Sequence, residues 1–154
     1  MTASVTIRLP DENATAALAG TIAPLLAAGD TLLLSGPIGA GKSAFARALI
    51  RARLGNPQEE VPSPTFTLVQ TYDAGEVEIW HCDLYRLSHP DEAAELGLQE
   101  AMATAICLIE WPDRLGALTP ADGLSLRFVA LEDGHAVTLT APPHWAARLR
   151  GIVA

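Results

Sequence analysis

One stretch constrains this chain more than any other: Asp30 to Ser43, which reads DTLLLSGPIGAGKS. Thr31 to Leu34 is a short β-prone apolar run, the pattern of a strand buried on both faces. Residues 44 to 50 (Ala44, Phe45, Ala46, Ala48, Leu49 and Ile50 among them) have helical spacing, and the glycine-rich turn lies between the two. Gly36, Gly41, Lys42 and Ser43 match the pattern G-x-x-x-x-G-K-[ST] in the strand–loop–helix context that gives the pattern meaning. Glycines let backbone N–H groups turn inward, and those amides with the helix N-terminus form a cradle for anionic oxygens. Lys42 is predicted to reach the β- and γ-phosphates of a nucleoside triphosphate, and the Ser43 hydroxyl to ligate Mg²⁺. Lys42 is also the sole lysine; the other nine basic residues are arginine. A slender point charge suits such a cradle where a planar fork does not.

The 154 residues, 49% of them hydrophobic, predict a single domain over 1–154 with a sizeable core. A net charge of −8 argues against stand-alone nucleic-acid binding, which rests on neutralising phosphates. Any link to RNA is expected through a partner. The N-terminal residues lack the pattern of a signal peptide, and no apolar run reaches the roughly 20 residues needed to cross a bilayer. Cys82 and Cys107 lie in apolar strand-like segments and read as reduced core residues of a cytoplasmic protein.

Along the chain, Ser4 to Leu9 reads as a strand, and Asp11 caps a helix whose Leu18, Ile22, Leu25 and Leu26 share one face, with Pro24 kinking or restarting it. The helix after Lys42 turns Phe45, Ala46, Leu49 and Ile50 inward and stops at Gly55. Two prolines keep Val61 to Thr67 from being helical. Leu68–Tyr72 and Val77–Asp83 form a predicted hairpin. Short helices over 91–96 and 98–104 precede a buried strand, Ala105 to Glu110. A second hairpin joins 124–131 to 136–140, and Trp145 to Ile152 suggests a terminal helix packed on the surface. This order predicts a P-loop NTPase-like α/β sandwich of three layers, whose mixed sheet has a parallel centre and antiparallel hairpin additions.

Glu110 is the leading further candidate. An apolar strand ending in an acid is placed to hold Mg²⁺ or to orient an attacking water, since ligands in open α/β sheets bind beyond the carboxyl ends of strands. Asp83 ends another strand; it reads equally as a water-positioning base, a partner of the magnesium shell, or a structural acid bonded to Arg86. Period-2 alternation turns His81 and Asp83 to one side and Cys82 to the other, which argues against a zinc site. His81 reads as a satisfied structural histidine. Thr65, in Ser63-Pro64-Thr65-Phe66, is either a switch that senses the γ-phosphate or part of a proline-rigid turn. Trp111 reads as core, base-stacking platform or interface anchor, with core the default. With one lysine, already in the loop, no guanine-reading N-K-x-D stretch exists, which tilts the base towards adenine.

These pieces together resemble the bacterial TsaE (YjeE) proteins, small ATPases needed to make threonylcarbamoyladenosine in tRNA. The likeness rests on Leu9 to Glu12 (LPDE) with Thr15, Gly36 to Ser43, Ser63 to Val69 (SPTFTLV), His81 to Leu87 (HCDLYRL), Glu95 to Leu98 and Ile109 to Pro112. It implies that Ile38, Gly39, Ala40, Gly41, Lys42 and Ser43 bind the phosphates of ATP, with Ser43 and Glu110 around Mg²⁺. It further implies Thr65 in a switch segment, Asp83 in the hydrolytic machinery, and Glu12 and Gly134 near the nucleoside. The implied partners are TsaD and TsaB, whose complex ATP hydrolysis resets, with tRNA touched through that complex. Ser43 stands where threonine is commoner, and Pro37 replaces a usual acidic or amide residue. Two other functions compete: a small-molecule P-loop kinase, for which no arginine-rich lid is evident, and a nucleotide-gated binding module whose hydrolysis is incidental.

Overall fold

The computed structural model describes residues 3–64 and 66–153. Seven strands form one sheet: β1 Ala3–Leu9, β2 Thr31–Ser35, β3 Val69–Asp73, β4 Glu78–Asp83, β5 Ile106–Glu110, β6 Leu124–Leu131 and β7 Gly134–Ala141. Their spatial order is β1-β7-β6-β2-β5-β4-β3. The four central strands, β6, β2, β5 and β4, run parallel; β7 pairs antiparallel with β6 and β1 antiparallel with β7 on one side, and β3 pairs antiparallel with β4 on the other. The sheet is therefore mixed in the manner expected, its parallel centre made of the most apolar runs. All five residues of β5 are buried, as are the first four of β2.

Helices cover both faces. On one side α1 (Glu12–Ile22) packs beside α2 (Lys42–Leu54), and their Leu18, Ile22, Phe45, Leu49 and Ile50 join Leu32, Leu34 and Leu108 in the larger core. On the other, α3 (Pro90–Glu95) and α4 (Leu98–Thr104) cover Leu33, Cys82, Cys107 and Ile109. Alternation along β2, β4 and β5 sorts these residues between the two cores. Both cysteines are free and buried. Burial pushes the Cys107 thiol up to about 12 and the Cys82 thiol well above its usual range, in keeping with reduced core residues.

Local signals account for most boundaries. Asp11 caps α1, its Oδ1 accepting from Ala14 N at 2.8 Å, and Pro24 turns the chain after it into a 3-10 turn, Ala23–Leu25. Gly55 ends α2 in the left-handed conformation, and His89 caps α3. The C-terminal segment differs from expectation. Pro143–Trp145 form a 3-10 turn, and only Arg150–Val153 (α5) is helical. Trp145 and Leu149 are fully buried in the larger core, so this segment is a plug rather than a surface helix. Trp145 Nε1 donates to Asp122 O at 2.8 Å, and Arg148 crosses to Asp30, just before β2. Among the described residues, no helix is long and apolar enough to cross a membrane.

Candidate functional site: the phosphate loop and the strand-end carboxylates

The loop between β2 and α2 is shaped by its glycines. Gly36 has φ +130°, and a Cβ there would stand 2.3 Å from Phe128 O, so only glycine lets the loop lie against β6. α2 begins at Lys42 with no side chain capping its first turn, which leaves amide donors for an anion. Lys42, 5% exposed, curls back so that Nζ donates to Gly36 O at 2.6 Å and Pro37 O at 3.1 Å. Burial holds its pKa below the usual value, a shift opposed by the Glu110 and Asp83 carboxylates. Its ammonium also lies 4.2 Å from the Trp111 ring centre.

Parallel pairing of β4 with β5 sets Asp83 opposite Glu110, both at carboxyl ends of their strands. Neither register nor neighbourhood was visible in the sequence. Glu110, 2% exposed, accepts from Ser43 Oγ at 3.0 Å through Oε1 and meets His81 Nε2 at 2.7 Å through Oε2. Asp83, also buried, accepts from Tyr85 N at 3.0 Å. Arg86, considered as a partner for Asp83, has its guanidinium 5.1 Å from the Phe66 ring centre.

A cleft of about 680 Å³ opens over these groups. Its floor is the loop (Ile38, Gly39, Gly41, Lys42, Ser43) with Asp83 and Glu110, and Tyr85 and Trp111 form one wall. Asp11, Glu12 and Thr15 from the start of α1 and Gly134 and His135 from β7 also line the cleft. Gly134, with φ +133°, has no room for a Cβ, which would come 2.9 Å from Leu9 O. The structure thus brings together Glu12, Ile38, Gly39, Gly41, Lys42, Ser43, Asp83, Glu110 and Gly134. Ala40 instead turns into the core, its N–H donating to Pro37 O, so it braces the loop from behind. Thr65 lies outside the described residues; its neighbour Ser63 lines the cleft.

Two residues of the cleft, His135 and Tyr85, are not singled out by the sequence. His135 donates from Nε2 to Gly39 O at 3.1 Å, joining residues 96 positions apart. Tyr85 packs on Trp111 with ring centres 4.8 Å apart. Trp111 itself is half-buried in the left-handed conformation (φ 60°), a strained setting for an aromatic residue that aims its ring at Lys42. His81 is tied to Glu110 but is not fully satisfied, because its Nδ1 has no hydrogen-bond partner among the described residues.

The donor set fits magnesium held together with phosphates. Among the described residues no cluster of three His, Cys, Asp or Glu side chains forms a metal cage. Mg²⁺ needs none, since it commonly takes one or two protein oxygens and fills its remaining positions with phosphate and water. Ser43 and Glu110, hydrogen-bonded to each other beside the open α2 N-terminus, are the two oxygen donors that would hold it.

Strand, glycine loop, helix and strand-end carboxylates over a sheet with a parallel centre define a P-loop protein. The family model of the threonylcarbamoyl adenosine biosynthesis protein TsaE matches residues 9–137. A Rickettsia bellii protein named tRNA threonylcarbamoyladenosine biosynthesis protein TsaE is 39% identical over 125 residues, covering 81% of this chain and 86% of that one. A Bacillus subtilis protein of the same name is 35% identical over 134 residues, 86% and 81% of the two chains. The crystal structure of YdiB from Bacillus subtilis superposes with a TM-score of 0.78 at 25% identity, over 98% of this chain and 95% of that one. The chain belongs to the TsaE family.

Proposed function

We propose that this protein binds ATP with Mg²⁺ and hydrolyses it as a switch subunit in the formation of threonylcarbamoyladenosine on tRNA. The observation that carries the reading is the convergence of Lys42 and Ser43, at the start of α2, on Asp83 and Glu110 at the ends of β4 and β5. The loop amides and Lys42 grip the phosphate tail, the ammonium exchanging its loop carbonyls for phosphate oxygens. Magnesium, when bound, supplies positive charge where negative charge develops during transfer. Glu110 and Asp83, side by side at the ends of β5 and β4, hold and orient water near the terminal phosphate. Glu12 and Gly134, which line the cleft, lie near the nucleoside in this reading. Thr65 belongs in this reading to the segment that responds to the γ-phosphate.

The exposed side chains of Ile38, which lines the cleft, and of Phe66 support a second component. They stay uncovered at 75% and 84% exposure, as expected of a surface completed by TsaD and TsaB. With the chain's acidic balance, this supports contact with tRNA through that complex. The test is an ATPase assay with and without the TsaD–TsaB pair and tRNA. Weak intrinsic turnover, stimulated by the pair and reduced about 100-fold or more by Lys42→Ala or Glu110→Ala, is the expected result. Undiminished stimulated rates in both variants would exclude it, and turnover that depends on an added small-molecule acceptor would favour the kinase instead.

A further inference from the structure

His81 is buried on β4, one strand in from the sheet's edge, between Gln70 of β3 and Leu108 of β5, so its backbone is held from both sides. Its ring reaches Glu110 Oε2 at 2.7 Å while Ser43 takes the other oxygen. Because a carboxylate only accepts, the proton in this bond sits on His81 Nε2, and the ring's remaining polar atom is Nδ1. That atom is buried with no hydrogen-bond partner among the described residues. A histidine kept to fill space would be better replaced by an apolar side chain, since an unpaired buried polar atom is costly. The contact that offsets this cost is the one to Glu110.

We propose that His81 is the positioning residue for the candidate metal-binding carboxylate, pinning Glu110 so that Oε1 faces Ser43, where the two oxygens would hold a metal. Unpinned, a glutamate side chain turns about three bonds, and a metal would have to order it on each binding event. His81 is not among the residues lining the cleft; it acts through Glu110, as hydrogen-bonded supports of metal ligands do. This inference rests on the reading of Ser43 and Glu110 as the magnesium site.

Mn²⁺ binding in the presence of a non-hydrolysable ATP analogue, followed by electron paramagnetic resonance, tests it apart from turnover. His81→Ala is expected to weaken Mn²⁺ about 10- to 100-fold while affinity for the analogue without metal is unchanged. His81→Gln, whose amide can donate to Oε2, is expected to recover most of that loss. Unchanged Mn²⁺ affinity in a folded His81→Ala protein would overturn the proposal, as would equal loss of metal-free nucleotide affinity in both variants. A wild-type protein that binds the analogue but takes up no Mn²⁺ would instead overturn the magnesium reading, and this inference with it.

Discussion

The ion pair that fastens the C-terminal plug to the root of the phosphate-loop strand lends itself to a quantitative test. Arg148 Nη1 donates to Asp30 Oδ2 at 2.5 Å and to Leu25 O at 3.1 Å, and Nη2 donates to Asp30 Oδ1 at 3.2 Å. The guanidinium lies 3.8 Å from the Trp145 ring centre. The Asp30 side chain is 10% exposed and that of Arg148 27%. Removing one member of a fully buried pair costs about 3–5 kcal/mol, most of it from the charge left behind. Here Asp30 would keep the bond from Ala27 N at 2.7 Å, and water can reach the space Arg148 vacates. The expected cost of Arg148→Ala is therefore about 2–3 kcal/mol, or a fall in Tm of roughly 5–10 °C for a chain this size. Asp30→Asn alone should cost less, since the amide still accepts from Ala27. Chemical denaturation of both single variants and the double variant gives the coupling, expected at about 1–2 kcal/mol. Additive effects below about 0.5 kcal/mol would show that the pair is screened and that Trp145 and Leu149 hold the plug unaided.

Three further outcomes follow from the structure. Gly36→Ala would press a Cβ against Phe128 O, so a loss of roughly 2–4 kcal/mol by calorimetry is expected, together with nucleotide binding; wild-type stability would refute the close approach. Ser43→Ala should leave affinity for metal-free ATP intact but abolish its enhancement by Mg²⁺ in titration calorimetry; retained enhancement would remove Ser43 from the metal site. The buried thiols predict alkaline sensitivity: their folded pKa values lie above the unfolded value of 9.0, so their contribution is whole below pH 9 and is lost as pH rises towards 12. Lys42, with a lowered pKa, opposes this over part of that range, since stability from that group rises with pH up to its unfolded value of 10.5. The two thiols are expected to dominate, so Tm should fall from pH 8 to pH 11, with a shallower slope in Cys107→Ala; a flat profile would refute the assignment.

Local chemistry made part of this molecule readable in advance. Thr31 to Ser43 announces strand, loop and helix because glycines, a lysine and an apolar run act within a dozen residues of one another. Asp11 and Gly55 mark helix ends for the same reason, and the uninterrupted apolar run into Glu110 reveals a central strand with an acid at its tip. Trp145 was misplaced because its segment carries apolar residues with no clear period, and only the space beside the sheet decides whether they face outward or fill a core.

What the sequence determined by itself, then, is each element's kind and the chemistry it carries, since both arise from neighbours along the chain. What only the tertiary structure decided is which distant groups meet. Ser43 and Glu110 are 67 positions apart and His81 and Glu110 29, yet all three share hydrogen bonds. Strand order and register create that meeting, because parallel pairing of β4 and β5 lines up two strand ends that no local pattern relates.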